Sequence, residues 1–371
     1  MSAPIRVMVV DDSAVVRGMF DRALREDAAI SVVASAANGE IAVNLLAQHA
    51  VDVIILDVEM PVMDGLTALP KLLAISPKVR IIMSSTLTTR NAEISLKAMQ
   101  MGAADYIAKP STRDTGEVGD FYRSLIAKIK ALAPYDASRV HSKATEAVSP
   151  AAPAAVRAPT KPSEPLGTSN LLLKRIDQMR DVKAVAIASS TGGPQALLHI
   201  FREFKGKTLR VPVFITQHMP PNFTAILADH LAKASGLNCH EAVDGEAIEP
   251  GVIYVAPGDY HMLATREGAG PIRIALNQNP PENFCRPSAD PMLRSLAKLY
   301  NDKLLALVLT GLGSDGTRGA QEVVTAGGIV ASQDEASSVV YGMPKAVAEA
   351  KLSSAVFPLN EIAPFLIRAA L

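Results

Sequence analysis

Short runs of apolar, often β-branched residues recur through the first 133 residues: Arg6-Val10 (RVMVV), Ile30-Ser35, Val53-Asp57 (VIILD), Val79-Ser85 and Ala104-Ala108. Each is followed by a segment with apolar residues three and four apart, the spacing of a helix with one buried face. Five such strand–helix units predict a doubly wound parallel sheet, with a ligand site at the carboxyl ends of its strands. The pattern resumes later in the chain. Ala184-Ala188, Val211-Thr216, Val252-Ala256 and Leu304-Leu309 read as buried strands, with helices near Pro194-Phe204, Asn222-Ala234, Pro287-Tyr300 and Thr317-Ala326. This predicts a second α/β domain, without internal repeats or heptads.

Between Pro134 and Pro165 the pattern stops. Six prolines sit among Ala, Ser, Thr and charges, and Tyr135, Val140, Val148 and Val156 are the only larger apolar side chains. Such a stretch cannot bury enough surface to offset its ordering entropy. The expected organisation is a first domain over 1–133, a Pro/Ala-rich flexible linker over 134–180 and a second domain over 181–371. Within the linker, 170–180 (NLLLKRIDQMR) has helical spacing and can form a helix docked on either domain.

Charge narrows the function classes. The 371 residues carry 37 basic and 37 acidic side chains, and the balance survives subdivision, with 14 and 15 in 1–133 and 19 each in 171–371. No part is a basic domain, so a nucleic-acid partner is not expected. Cys239 and Cys285 make no disulfide framework, the first ten residues lack the apolar core of a signal peptide, and no apolar run approaches the roughly 20 residues of a spanning helix. A cytoplasmic protein without membrane insertion is expected.

In the first domain, Asp11 and Asp12 follow the first strand and Asp57 ends the third, so three carboxylates project from one sheet edge. They repel one another and call for a cation, and all-oxygen ligands favour Mg²⁺. Lys109 after the fifth strand and Ser85 ending the fourth bring an ammonium and a hydroxyl to the same edge; a register error of one would put Ser84 in place of Ser85. Carboxylate, Mg²⁺, Lys and hydroxyl together suit a phosphoryl group. With Glu59-Met60-Pro61, Asp64-Gly65 and Lys109-Pro110, these residues resemble a response-regulator receiver domain over residues 5–132. The resemblance implies Asp57 as phospho-acceptor and Asp11, Asp12 and Asp57 as Mg²⁺ ligands together with the Glu59 carbonyl. It also implies Ser85 as switch hydroxyl, Lys109 as phosphate contact and Tyr106 as switch aromatic.

In the second domain three strands end in chemistry. Ala184-Gly193 (AVAIASSTGG) runs into a hydroxyl-rich turn, and Pro194 opens a helix whose N-terminal amides suit an oxyanion. A helix cap is the bland alternative for those hydroxyls, and the glycines spell neither G-x-S-x-G nor G-x-G-x-x-G. Val211-Thr216 leads into His218, with His261 as the rival imidazole. Leu304-Leu309 leads into Thr310-Gly316 (TGLGSDG), where Asp315 can fix an imidazole and the amides of 311–313 can serve an oxyanion. A hydroxyl, an imidazole and a carboxylate therefore end three strands of one sheet.

These segments, with IYVAPGDYH at Ile253-His261, RPSAD at Arg286-Asp290 and VVYGMP at Val339-Pro344, resemble the catalytic domain of the CheB family of chemotaxis protein-glutamate methylesterases, from about Lys183 to the C-terminus. The resemblance implies Ser190 as nucleophile, with Ser189 as its rival, His218 as general base and acid, Asp315 as orienting carboxylate, and the Thr191 and Leu312 amides as oxyanion donors. It implies hydrolysis of receptor glutamate γ-methyl esters to methanol, deamidation of receptor glutamines, and a role in chemotaxis adaptation. No cofactor is implied in that domain. The implied partners of a monomeric enzyme are methyl-accepting chemotaxis receptors as substrate and a chemotaxis histidine kinase as phosphodonor. Two other classes compete: a receiver driving a DNA-binding output, which lacks a basic helix-turn-helix here, and a receiver driving a binding module built on an inactive hydrolase fold.

Overall fold

In a computed structural model, residues 3–86, 88–109, 115–133 and 181–370 are described. The linker expected over 134–180, with its candidate helix, lies outside them. The first apolar runs form β1 (Ile5–Val10), β2 (Ile30–Ala36), β3 (Val53–Asp57), β4 (Arg80–Ser85) and β5 (Asp105–Ala108), paired in parallel in the order β2-β1-β3-β4-β5. Between and after them lie α1 (Ala14–Arg25), α2 (Gly39–Leu46), α3 (Gly65–Ile75), α4 (Thr89–Gln100) and α5 (Thr115–Leu132). All of β3 is buried, which explains its unbroken hydrophobicity. Side chains of Ser13, Asn38, Asp64 and Thr88 cap α1 to α4 by accepting from the amides of Val16, Ile41, Thr67 and Asn91.

The second domain is a larger doubly wound sheet than its apolar runs announce. To β6 (Ala184–Ser189), β7 (Val213–Gln217), β9 (Val252–Val255) and β12 (Leu304–Val308) the fold adds β8 (Asn238–Glu241), β13 (Ile329–Gln333) and β14 (Ala355–Phe357). The seven strands pair in parallel in the order β14-β13-β12-β6-β7-β9-β8. A separate antiparallel hairpin joins β10 (His261–Arg266) to β11 (Ile272–Asn277). The helices are α6 (Gly193–Arg202), α7 (Phe223–Ser235), α8 (Ala289–Tyr300), α9 (Thr317–Thr325), α10 (Met343–Glu349) and α11 (Leu359–Ala370). No described helix is long and apolar enough to cross a membrane.

At the N-termini of α6, α7 and α9 no side chain caps the helix; Gly192, Asn222 and Gly316 precede them at φ of 79°, 71° and 88°. These helices open after the carboxyl ends of β6, β7 and β12, the sheet edge at which the candidate site residues lie. The two domains share a packed face. Tyr106 of β5 stacks on Phe223 of α7 at 4.6 Å between ring centroids and 14° between planes. One buried apolar cluster joins Leu96 and Met99 of α4 to Phe223 and Leu227 of α7. Another joins Phe121 and Leu125 of α5 to Val340, with Leu312 and Val339 packed against it.

Candidate active site and phosphoacceptor site

The turn after β6 holds the two rival hydroxyls in different settings. Ser189 is fully buried and donates to Gln217 Oε1 at 2.7 Å, whereas Ser190 is only half-buried. Gln217 also donates from Nε2 to the Ser190 carbonyl at 2.9 Å, so one amide side chain braces both residues. The turn needs its glycines: Gly192 has φ 79°, and a Cβ on Gly311, in the facing loop after β12, would meet Ser190 Cβ at 2.8 Å. Among the described residues, neither the Thr191 nor the Leu312 amide donates a hydrogen bond.

His218 follows β7 and Asp315 follows β12. Nε2 of the imidazole lies 2.7 Å from Asp315 Oδ2, which leaves Nδ1 facing away from the carboxylate. Asp315 is almost completely buried yet richly supplied with donors. Its Oδ1 accepts from Ser288 Oγ at 2.7 Å, Asn283 Nδ2 at 2.8 Å and the amides of Gly316 and Asp290, while Oδ2 also accepts from the Ala289 amide at 2.6 Å. Two of these amides belong to the start of α8, whose dipole favours a negative charge there. Burial alone would raise the Asp315 pKa, but His218 and these donors outweigh it and hold the carboxyl well below the usual carboxylate range. A second buried carboxylate, Asp290, accepts from Asn283 Nδ2 and the Gly319 amide; burial and the neighbouring Asp315 charge push its pKa up.

On the other side of the imidazole, Cys285 Sγ lies 3.4 Å from Nδ1. Burial opposes a charge on His218, yet Cys285 and Asp315 outweigh it and lift the pKa to about 10. The rival His261 has both ring nitrogens engaged by backbone, Nε2 with the Pro280 carbonyl and Nδ1 with the Ser288 amide. It supports the loop that leads into α8. Cys285, Asn283, Ser288, Asp290 and Gln217 are site residues that the sequence pattern does not single out, although RPSAD contains Ser288 and Asp290 and Gln217 directly precedes His218. Their roles depend on which neighbouring loop they touch, which no local pattern encodes.

At the edge of the first sheet, Lys109 Nζ lies 2.7 Å from Asp11 Oδ2 and 2.8 Å from Asp57 Oδ1. Carboxylate oxygens of Asp11, Asp12 and Asp57 lie within 4.8 Å of one another. Three carboxylates against one lysine leave negative charge in excess, and this all-oxygen set fits a hard divalent cation. Burial pushes Asp57 up to about 6, with Asp11 adding to the rise and Lys109 opposing it. Glu59 is exposed just after β3. Ser85 Oγ lies 3.1 Å from Ser95 Oγ of α4, whereas the rival Ser84 is buried with its hydroxyl unpaired.

The two domains meet beside Ser190. Thr191, next to Ser190, donates from Oγ1 to Asp105 Oδ2 of the first domain at 2.6 Å, and Asp105 also pairs with Lys128. Gln195 of α6 donates to the Ala103 carbonyl at 2.7 Å, and Gln100 meets His230 at 3.2 Å. Of the candidate oxyanion residues, Thr191 therefore touches the first domain, and Leu312 packs against the apolar cluster that joins the two domains.

Comparison with known proteins agrees with this two-part layout. The description "CheB methylesterase" matches residues 185–366, and "Response regulator receiver domain" matches residues 7–117. The chain is 52% identical over 369 residues to "Protein-glutamate methylesterase/protein-glutamine glutaminase 1" of Paramagnetospirillum magneticum, covering 99% of this chain and 96% of that protein. It is 52% identical over 367 residues to "Protein-glutamate methylesterase/protein-glutamine glutaminase" of Azospirillum brasilense, covering 98% of this chain and 92% of that one. A group 2 operon protein of the same description from Rhodospirillum centenum is 50% identical over 374 residues, covering 98% of this chain and 94% of that one.

Proposed function

The chain belongs to the CheB methylesterase family, and from that premise we propose that it hydrolyses glutamate γ-methyl esters of chemoreceptors to methanol and deamidates receptor glutamines, in chemotaxis adaptation. The observation that carries the catalytic part is the 2.7 Å contact of His218 Nε2 with a buried Asp315 ringed by donors. It leaves Nδ1 as the working nitrogen, at the same sheet edge as the half-buried Ser190.

In this reading Ser190 Oγ attacks the ester carbonyl as Nδ1 of His218 takes its proton. The Thr191 and Leu312 amides receive the oxyanion, an interaction commonly worth about 10²–10³ in rate per donor. The same proton then leaves with methanol. Water repeats the sequence on the acyl-enzyme, and an amide substrate follows the same course with loss of ammonia. Asp315 stabilises the imidazolium that forms in each half. Because Cys285 sits against Nδ1 in the resting arrangement, the Ser190 hydroxyl has to displace the thiol contact before the base can act.

Asp57 serves as phospho-acceptor for a histidine kinase, with Asp11, Asp12, Asp57 and the Glu59 carbonyl holding Mg²⁺. When bound, Mg²⁺ offsets the charge on the phosphoryl oxygens, and Lys109 shares that task. The acyl phosphate carries about −2 where the carboxylate carried −1, so roughly one further negative charge arrives beside Lys109. Recruiting Ser85 away from Ser95 then frees Tyr106 to leave Phe223, weakening the packed face over Thr191 and Leu312. We assign the domains to 1–133 and 181–371 with a linker over 134–180, and take the enzyme to act as a cytoplasmic monomer.

Methanol release from methylated receptor membranes, with and without a small phosphodonor, tests this reading. Release that rises with the phosphodonor is expected. A chain that releases none overturns the catalytic reading, and a rate indifferent to the phosphodonor overturns the regulatory one.

A further inference from the structure

Four of the eight described non-glycine residues at positive φ lie on loops around His218 and Asp315: Asn222, Asp259, Asn283 and Phe284. Asn283 and Phe284 are consecutive, at φ 52° and 62°. Such backbone persists only where the surroundings hold it, and it gathers at functional sites. Here the holding groups are visible. Glu282 is paired with Arg294 of α8, and Asn283 Nδ2 is shared between Asp290 and Asp315. Cys285 rests on His218, and the Cys285 amide donates to the Glu282 carbonyl. Arg286 is held by Asp259 and by the carbonyls of Gln278 and Asn279.

Every side chain of this loop from Glu282 to Arg286 is tied back to the protein except one. Phe284 is 103% exposed, the most exposed large apolar residue described. A phenyl ring left wholly in water forgoes the burial that normally stabilises it. The ring stays outside even with the first domain packed on the catalytic loops, and the next residue along the chain touches the working nitrogen of His218.

From this we propose that Phe284 is a docking anchor for the receptor segment that carries the methyl ester, seated at the rim of the Ser190 cleft. The inference rests on the esterase reading above and adds to it a recognition element. The occupant follows from position: the ester carbonyl has to reach Ser190, so the chain flanking it passes the rim where the ring stands. An aromatic side chain with two torsions, on a loop fixed by its neighbours, loses little entropy on binding. Its strained backbone is already in the bound shape. Phe284 touches no reacting atom, so its contribution belongs to binding a macromolecular substrate and is absent for a small ester.

The test compares full-length wild type, Phe284→Ala and Phe284→Trp on two substrates: methylated receptor membranes, and a blocked glutamate γ-methyl ester of a single residue. The expected result for Phe284→Ala is a rise in KM for receptors of about tenfold, a size that only a minority of interface residues reach on truncation, with kcat little changed. The preference for receptor over small ester should fall by the same factor, and Phe284→Trp should restore most of it. Equal KM values for wild type and Phe284→Ala on receptors overturn the anchor while leaving the esterase reading intact. Equal losses on both substrates also overturn it, since they report a disturbed His218 or Asp315. If wild type releases methanol from neither substrate, the esterase reading fails and the anchor falls with it.

Discussion

Ser189 and Ser190 are neighbours with opposite commitments. Ser189 donates its hydroxyl to Gln217 in a fully buried setting, while Ser190 stands at a half-buried position in the same turn. Ser190→Ala should therefore abolish methanol release in full-length protein. Ser189→Ala should keep most of it and lower the melting temperature by a few degrees, the cost of about 1 kcal/mol for one lost buried hydrogen bond. The reverse pattern of activities would exchange the two roles. The base gives a second prediction, in pH. In the proposed mechanism only neutral His218 can take the Ser190 proton, so kcat/KM should climb as pH rises towards the His218 pKa. Cys285 and Asp315 raise that pKa towards 10 against the opposing effect of burial. Removing Cys285 removes one raising partner and must move the ascending limb down. Cys285→Ala should shift the limb of the unphosphorylated enzyme to lower pH by about one unit or more and speed it at neutral pH. A limb that stays in place would mean that the thiol contact has no bearing on the base.

At the level of elements, what could be read in advance follows from how local each signal is. β3 and β12 are covered on both faces and show unbroken apolar runs; an α/β reading with two doubly wound sheets follows from such strands and the helices between them. The carboxyl-edge rule also places the loops after β1, β3, β6, β7 and β12 without any structure. Strands at the margins of the second sheet were less legible. β14 (Ala355–Phe357) is a three-residue edge strand with an exposed centre, and β8 carries Asn, His and Glu, so neither has a run to detect. The β10–β11 hairpin sits outside the main sheet, and its alternation fades at Thr265-Arg266. The loop before α8 was the largest omission for the site. Its motif could be seen, but the meeting of Ser288, Ala289, Asp290 and Asn283 with Asp315 joins residues 25 to 32 positions apart. What the helix contributes is a bouquet of donors around one carboxylate, a property of three-dimensional placement rather than of the RPSAD string.

Across the whole molecule, the first domain is fastened to the residue beside Ser190. The Asp105–Thr191 hydrogen bond has a charged acceptor in a buried setting, the kind worth about 1.5–3 kcal/mol. The Tyr106–Phe223 stack adds about 0.5–1.5 kcal/mol beyond its area. Together they can favour the packed arrangement by roughly 30- to 1,500-fold at about 1.4 kcal/mol per tenfold, a bias that a doubly charged phosphoryl group at Asp57 is large enough to contest. Asp105→Ala should then raise the unphosphorylated rate of methanol release by about tenfold or more while shrinking the response to a phosphodonor. The second domain has a buried cluster of its own, from Ala184 to Leu352, that draws on no residue of the first. A chain starting at Lys183 should therefore fold and work without a phosphodonor, at or above the rate of the Asp105→Ala protein. If that chain folds but is slower than unphosphorylated full-length protein, the first domain is needed for catalysis rather than for its restraint, and the contact at Thr191 would have to be reread as a support for the oxyanion turn.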